Sequence, residues 1–215
     1  MIVVKGMGTV TVKPDLIVLT MDLQSADLQY ERAMDHAAQQ IDKLHAAVQL
    51  IGIDKNRMKT VNFSVNPQYE NQRNENGTYV RSFMGYQVFH QLKLEIDLDT
   101  KLLGEVLGAI AGCGCDPALN IAFTVRDKET VSALLLEDAA KNARKKAEIL
   151  ARASGVSLGK LSAVEYGWQE RDMLSPTTLN DAALSPAMLK TRCVPEIQPD
   201  DIHLTDWASF SWEII

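Results

Sequence analysis

Apolar residues recur every three or four positions over two long stretches of the chain, which is the spacing of an amphipathic helix. The first stretch runs from about residue 28 to 51 and ends at Gly52. The second follows Asp127, a preferred N-cap residue, and contains no Gly or Pro before Gly155, which suits a helix C-terminus. We predict a helix in each, the second about 40 Å long at 1.5 Å per residue. The predicted inner row of the second helix is Val131, Leu135, Ala139, Ala143, Ala147 and Ala151.

Strict alternation of apolar and polar residues elsewhere predicts strands with one buried face. The strand that begins near residue 61 is expected to stop at Pro67, and it forms a long antiparallel hairpin with the next strand through the Asn76-Gly77 turn. A shorter helix follows from about residue 100 to 111. The predicted strands cover residues 17–24, 61–66, 80–98, 119–125, 161–168 and 202–214.

This order of elements predicts an α+β fold. The expected architecture has two layers, with a largely antiparallel mixed sheet, a long hairpin and helices packed on one face, in a single domain over residues 1–215. Residues 171–199 form the exception, because they are predicted to be a long proline-containing loop, and such loops are often functional. Its apolar residues are candidates for contact with another subunit, namely Leu184, Met188 and Leu189.

Gly6 and Gly8 flank Met7 near the start of the chain, where a phosphate-binding loop is one interpretation. No helix follows them, so an irregularity in a strand is the favoured interpretation. In the last strand, Asp206 interrupts the apolar alternation, which predicts either a bulge or a polar neighbour at that point.

Charge and hydropathy exclude several classes of protein. The formal net charge is -6, which argues against binding to nucleic acid or to an anionic membrane. The basic cluster between Lys141 and Lys146 is better explained as a solvated helix face. No window is long and apolar enough for a transmembrane segment, and the first residues do not resemble a secretory signal. We expect a cytoplasmic protein if the chain is complete, and a periplasmic or cell-envelope protein if a leader has been removed.

Few residues have the types and spacing needed for chemistry. Cys113 and Cys115 flank one glycine, so they are weak candidates for a soft metal site or a reducible disulfide, although a plain tight turn is the favoured interpretation. His36 and His45 fall on opposite faces of one helix, and His90 lies on the apolar face of the longest strand, where a hydrogen-bonded core role is typical. No catalytic residue, cofactor or resident metal is predicted.

Several short motifs in a fixed order resemble the SIMPL-domain family, a bacterial group that includes periplasmic and outer-membrane immunogenic proteins of unknown activity. The most specific is the pattern Ala-Arg-x-Lys-Ala-Glu-x-Leu-Ala over residues 143–151. The resemblance implies an α+β fold, homo-oligomers that include ring-like assemblies, and an association with envelope or oxidative-stress phenotypes. The other motifs are Gly6 and Gly8 before Pro14-Asp15, Thr60 before Pro67-Gln68-Tyr69, Gly85-Tyr86, Ile121 and Phe123, Gly155, and Leu158-Gly159.

The sequence therefore favours a non-enzymatic, self-associating protein that acts as a structural or interaction module. The contact surface is expected in the 171–199 loop or along an exposed edge of the long hairpin. The first alternative is a redox- or metal-responsive protein that uses Cys113 and Cys115. The second is a hydrolase with a site around His90, which would need a pocket and a carboxylate partner.

Overall fold

The structure is a computed structural model that describes residues 1–73, 79–167, 172–180 and 197–215. Helices and antiparallel strand pairs together confirm the predicted α+β class. The strands are β1 (Ile2–Val12), β2 (Leu16–Asp27), β3 (Met58–Arg73), β4 (Tyr79–Asp97), β5 (Ala118–Thr124), β6 (Leu158–Glu165), β7 (Leu174–Asn180) and β8 (Ile202–Ile214). The helices are α1 (Tyr30–Leu50), α2 (Thr100–Gly112) and α3 (Lys128–Ala153), with a short 3-10 helix at Lys55–Arg57.

The strands form two sheets rather than the single sheet that the sequence suggested. One has the order β1-β8-β6, and the other has the order β3-β4-β2-β5-β7. The chain also divides into two compact units, so the prediction of a single domain stays a prediction. Unit 1 comprises Met1–Asp15, Phe123–Thr177 and Pro199–Ile215, and unit 2 comprises Leu16–Ala122 and Thr178–Gln198.

In unit 1, helix α3 packs on the β1-β8-β6 sheet. Its bounds match the prediction closely, because the Asp127 carboxylate accepts a hydrogen bond from the Thr130 backbone N–H at 2.9 Å and caps the first turn. The hydrogen bonds from Thr130 lower the pKa of the Asp127 carboxyl. Gly155 adopts a φ of 73° just beyond the helix. All six residues of the predicted inner row are buried, namely Val131, Leu135, Ala139, Ala143, Ala147 and Ala151.

The prediction of a strand irregularity at Gly6 and Gly8 is wrong. Strand β1 pairs with β8 without a register shift from Ile2 to Val12. The glycines instead permit close contact with helix α3, because a Cβ on Gly6 would overlap the carbonyl oxygen of Ala139, and one on Gly8 would overlap that of Leu135. Glycine on the strand and alanine on the helix together bring the two backbones into contact.

Polar side chains of α3 also bind the outer edge of β1, the edge that does not pair with β8. The Asn142 side-chain oxygen accepts a hydrogen bond from the Met7 N–H at 3.1 Å, and an Asp138 carboxylate oxygen accepts one from the Thr9 N–H at 2.9 Å. The Lys146 ammonium donates to the backbone carbonyl of Lys5 at 2.9 Å. These helix residues are spaced by four, so one face of α3 covers the edge of the strand.

In unit 2, helix α1 covers one face of the sheet formed by β2, β3 and β4. Ala33 and Ala37 of the helix cluster with Val88 of β4 in the core. The long antiparallel hairpin of β3 and β4 was predicted correctly, but β3 does not stop at Pro67 and continues to Arg73. Proline is tolerated there because β3 is an edge strand, where one row of backbone groups has no neighbouring strand to bond.

The 171–199 segment was predicted as a loop, and its described part contains a strand. Residues Leu174–Asn180 form β7, which the sequence did not reveal because the buried position there is Ser175 and the neighbouring Leu174 is exposed. The candidate contact residues of this segment, Leu184, Met188 and Leu189, lie outside the described residues. At Asp206 the structure contains the expected polar neighbour, since the Tyr166 hydroxyl donates to its carboxylate at 2.9 Å, and β8 pairs with β1 without a bulge.

Candidate interaction surface

The β3–β4 hairpin extends beyond the sheet to which it belongs. Strand β2 pairs with β4 only as far as Tyr86, whose partner is the last residue of β2, Asp27. Past that point β3 and β4 pair only with each other, from Tyr69 with Phe83 to Arg73 with Tyr79. We call residues 69–73 and 79–84 the arm. It is a two-stranded ribbon attached to a larger sheet.

A bulge marks the base of the arm. The pairing register shifts between Gln68 and Tyr69, so that Met84 is the extra residue on β4. Gly85 next to it has a φ of 123°, a conformation that other residues rarely adopt. A Cβ at Gly85 would also crowd the carbonyl oxygen of Asp27, where β2 ends. The glycine therefore lets the arm leave the sheet at this point.

A continuous chain of aromatic rings runs from the start of helix α1 onto one face of the arm. Tyr30 of helix α1 contacts Tyr86 edge-on with ring centroids 5.5 Å apart, and Tyr86 contacts Phe83 at 5.3 Å. Phe83 contacts Tyr69 at 5.6 Å, and the Arg81 guanidinium lies 4.1 Å from the centre of the Tyr69 ring. Edge-to-face contacts and a cation over a ring both stabilise such a row.

The row becomes exposed because helix α1 begins at its base. Tyr30 is the first residue of α1, so the helix covers the hairpin face on one side of Tyr86 and not the arm on the other. Phe83 is 42% exposed and Tyr69 is 47% exposed. Rings of this size are usually buried in cores or interfaces. The aromatic face of the arm is therefore an apolar surface of the kind that contacts another protein.

The outer edge of β3 is less suited to pairing with another strand. The β3–β4 register shifts at Val61, which bulges out of the pairing, and Pro67 has no N–H to donate to an incoming strand. Bulges and prolines are common devices that protect edge strands. The edge of the hairpin and the 171–199 segment were the two predicted contact surfaces, and both stay predictions.

The environment of the Cys113 and Cys115 thiols is that of a structural turn rather than of a reactive site. Gly114 has a φ of 70°, and the buried Cys115 thiol donates to the Gln40 carbonyl oxygen at 3.4 Å. Burial, followed by hydrogen bonding to Cys113, raises the pKa of the Cys115 thiol to about 12. Because the thiolate is the form that attacks disulfides and binds metals, this environment disfavours both reactions. Cys193, the third cysteine, lies outside the described residues.

His90 has a hydroxyl group as its hydrogen-bond partner and an aromatic ring beside it. Its Nε2 lies 2.8 Å from the Thr60 hydroxyl oxygen, and its ring meets Phe63 edge-on at 5.1 Å. Burial and the nearby His45 lower the pKa of His90, so the neutral ring is favoured. This agrees with the predicted hydrogen-bonded role and gives no support to the hydrolase alternative. His90 is only partly buried, however, rather than part of the closed core.

Metal clusters and membrane-spanning helices are both absent from the part of the chain that the structure describes. Within it, no group of three or more His, Cys, Asp or Glu side chains is arranged to hold a metal ion. No helix in the same ranges has both the length and the apolar character needed to cross a membrane.

Comparison with known proteins identifies relatives over nearly the whole chain. The model of the SIMPL family, described as a protein of unknown function (DUF541), matches residues 2–210. The chain is also similar to the uncharacterized protein YggE of Edwardsiella ictaluri (strain 93-146), at 23% identity over 205 residues. That alignment covers 95% of this chain and 83% of the relative. The resemblance inferred from the sequence motifs is thus confirmed, and neither description states an activity.

Proposed function

We propose that this chain, which belongs to the SIMPL family, acts as a non-enzymatic structural or interaction module that associates with copies of itself through the arm. The observation that carries the proposal is the exposed aromatic row of Tyr69 and Phe83 on a ribbon of two strands. A two-stranded ribbon is at best marginally stable in water. Contact with a second molecule would bury its rings and hold it in place.

The energetics favour association through these side chains. Fully burying an aromatic side chain such as Phe stabilises a complex by about 1.5 to 3 kcal/mol. Tyr69 and Phe83 still have a large part of that burial available. Two such rings near the centre of an interface can serve as its principal anchors, since binding energy is concentrated in a few aromatic and arginine residues.

A second copy suits this surface because the arm carries both halves of a complementary contact. Arg81 already lies over the ring of Tyr69 within one chain. In a two-fold symmetric pair, each arm would offer rings to the arginine of the other and an arginine to its rings. The same patch can therefore serve both sides of the interface.

The test compares two polar substitutions on opposite faces of the arm. Phe83→Gln removes a ring from the row, whereas Ser82→Gln places the same side chain one position away, opposite Glu70 on the other face. We expect Phe83→Gln to weaken self-association at least about 30-fold, because an interface hot spot is worth about 2 kcal/mol or more. Ser82→Gln should leave the association constant nearly unchanged. Native mass spectrometry and sedimentation equilibrium would measure both.

Two results would count against the proposal. The first is a wild-type protein that stays monomeric at micromolar concentration. The second is an equal loss of association in Phe83→Gln and Ser82→Gln, which would place the contact elsewhere. Far-UV circular dichroism of each variant separates a lost interface from a misfolded hairpin.

The resemblance to the family also predicts a link to envelope or oxidative stress. A strain that lacks the protein could be challenged with peroxide and with detergent, then supplied with each arm variant. If self-association is needed in the cell, Ser82→Gln should restore growth and Phe83→Gln should not. Equal rescue by both variants would mean that the role of the protein under stress does not depend on association through the arm.

A further inference from the structure

Strands β3, β4 and β2 of unit 2 lie side by side and have one face that helix α1 does not cover. Val88 of β4 packs against the helix, so the side chain of Phe89 points to the opposite face, because successive residues of a strand alternate. Phe89 stands directly between Ser64 of β3 and Gln24 of β2. Its side chain is only partly buried. An aromatic ring is therefore accessible at the centre of three paired strands.

Neutral amide side chains surround this ring. Two glutamines lie two positions before and after Phe89 on β4, their direct partners on β3 are asparagines, and a glutamine of β2 lies beside the ring. The charged pair of β4, Lys93 and Glu95, lies farther along the strand, with its nitrogen and oxygen 2.8 Å apart. We call Phe89 and the five amide residues the amide face, which consists of Gln24, Asn62, Asn66, Gln87, Phe89 and Gln91.

Hydrogen bonds between side chains hold these amides in position. The Gln68 amide donates to Oε1 of Gln87 at 2.8 Å, and the Gln87 amide donates to Oε1 of Gln24 at 3.0 Å. The Gln91 amide donates to a carboxylate oxygen of Asp22 at 2.8 Å. A side-chain amide has two N–H donors and an oxygen with two lone pairs, so these bonds leave capacity for a ligand. Because the amides are already oriented, binding would cost little conformational entropy.

The chemistry of the amide face favours an uncharged ligand with many hydroxyl groups. A hydroxyl group both donates and accepts hydrogen bonds, as an amide does, whereas a phosphate group is usually bound by Arg or Lys. The exposed ring offers an apolar platform to the C–H groups of a sugar ring. Three strands measure about 10 Å across, and the four residue steps from Gln87 to Gln91 measure about 13 Å. These dimensions accommodate one or two sugar rings.

We propose that the amide face binds a neutral oligosaccharide whose sugar rings are linked in a flat, extended chain. One sugar ring lies on Phe89, and its hydroxyl groups exchange hydrogen bonds with the amides of Gln24, Gln87 and Gln91. The Asp22 carboxylate, which Gln91 already contacts, is a further acceptor for a hydroxyl group. The net charge of -6 disfavours a polyanion on this surface. Sugar binding at this site does not depend on self-association through the arm.

The experiment uses cellotetraose and tetra-N-acetylchitotetraose as probes, since both are neutral, extended, β-1,4-linked chains. Maltotetraose is the matched control ligand, because it contains the same sugar as cellotetraose in a bent, α-1,4-linked chain. Two-dimensional NMR of the full chain would follow the side-chain amide signals of Gln87 and Gln91, assigned with Gln87→Ala and Gln91→Ala. We expect at least one probe to shift these signals saturably and maltotetraose to shift them much less. The probe that binds distinguishes a glucose chain from an amino-sugar chain.

Two pairs of variants test the residues of the site. Phe89→Thr should weaken binding of the probe at least about fivefold, which is the size of one aromatic contact. Phe63→Thr is its control, because Phe63 is 44% exposed but pairs with His90 on the face that bears Val88. Gln87→Ala should weaken binding about threefold or more, since it removes a hydrogen-bonding group. Gln39→Ala, at an exposed position of helix α1, should leave the affinity unchanged.

Four results would each overturn the proposal. They are no saturable shift with either probe, equal binding of maltotetraose, equal losses of affinity in Phe89→Thr and Phe63→Thr, and unchanged affinity in Gln87→Ala. A second copy of the chain on the amide face would give self-association that Phe89→Thr abolishes, without any shift by the sugars, and would overturn it as well. Gln87→Ala keeps the test decisive if circular dichroism shows that Phe89→Thr does not fold.

Discussion

Among the edge strands, β1 of unit 1 and β3 of unit 2 are protected in different ways, because helix side chains cover the edge of β1 and no helix side chain is seen to cover that of β3 among the described residues. In unit 1, one face of helix α3 covers the edge of β1 through Asp138, Asn142 and Lys146. In unit 2, the edge of β3 has a bulge at Val61 and a proline at position 67 instead. Side chains that cover an edge close the surface, whereas a bulge and a proline only interrupt it.

The covered edge depends on the absence of side chains at two positions. Helix α3 can approach β1 closely enough for these hydrogen bonds because Gly6 and Gly8 face its backbone. The arm of unit 2 depends instead on large side chains, the exposed rings of Tyr69 and Phe83. Substitutions at the contact between β1 and α3 should therefore affect folding, whereas substitutions in the arm should affect association.

The largest effect is expected from Gly8→Val. The new side chain would overlap the Leu135 carbonyl oxygen and push the helix away from the strand, and overpacking of this kind costs about 3 kcal/mol. Gly108→Ala in helix α2 is the matched control, because no atom lies within 4 Å of its added Cβ. That change should be neutral or stabilise the protein by up to about 1 kcal/mol. Urea unfolding of the two variants provides the measurement.

Similar unfolding midpoints for Gly8→Val and Gly108→Ala would contradict this prediction. They would mean that α3 does not need to contact the β1 backbone and that the edge is covered more loosely. A large loss of stability in Gly8→Val with an unchanged association constant would show that folding and association depend on different residues.

The sequence predicts helix α3 almost residue by residue because all the determining signals are local. The cap at Asp127, the inner row spaced by four and the stop at Gly155 lie in one continuous stretch. The role of Gly6 and Gly8 is not local, because the atoms that require glycine there belong to a helix far along the chain. A glycine beside a distant backbone and a glycine at a bulge look alike in a sequence.

The candidate surface was only partly predictable for a related reason. The long hairpin follows from alternation, but the bulge at Met84 reverses which residues share a face, so alternation alone does not group Phe83 with Tyr86. The continuation of β3 past Pro67 also depends on its place at the sheet edge, which periodicity does not show. The contact residues proposed from sequence in the 171–199 segment remain a prediction.

A smaller effect is expected from uncovering the β1 edge. The double variant Asp138→Ala/Asn142→Ala removes the acceptors for the Met7 and Thr9 N–H groups. We expect a loss of about 1 to 2 kcal/mol in the free energy of unfolding, since each hydrogen bond contributes about 1 kcal/mol. The opened edge should also promote additional, concentration-dependent association, which light scattering would detect.

Glu137→Ala is the control for this variant. Glu137 lies next to Asp138, but it is exposed and pairs with Lys141 on the solvent-exposed face of the helix at 3.5 Å. Its removal should change stability by only a few tenths of a kcal/mol and leave scattering unchanged. If the double variant matches Glu137→Ala in unfolding free energy and in light scattering, the helix side chains do not protect the β1 edge. The edges of β1 and β3 would then not differ in the way described.

The smallest effect is expected from lowering the pH, and it should act through His90 in unit 2. His90 binds Thr60 next to the Val61 bulge of β3, and its pKa is lowered by burial and by His45. The folded pKa of His90 lies below its unfolded value of 6.5, so the unfolded chain binds the proton more readily than the folded one. The contribution of His90 to the free energy of unfolding is therefore complete above pH 6.5 and declines as the pH falls below that value. Urea unfolding at pH 7.5 and at pH 5.5 should show this decline in the wild type and in His36→Gln, whose histidine is exposed on helix α1, and a smaller decline in His90→Gln. An equal decline in all three proteins would assign the acid sensitivity to other groups and leave the β3 edge independent of pH.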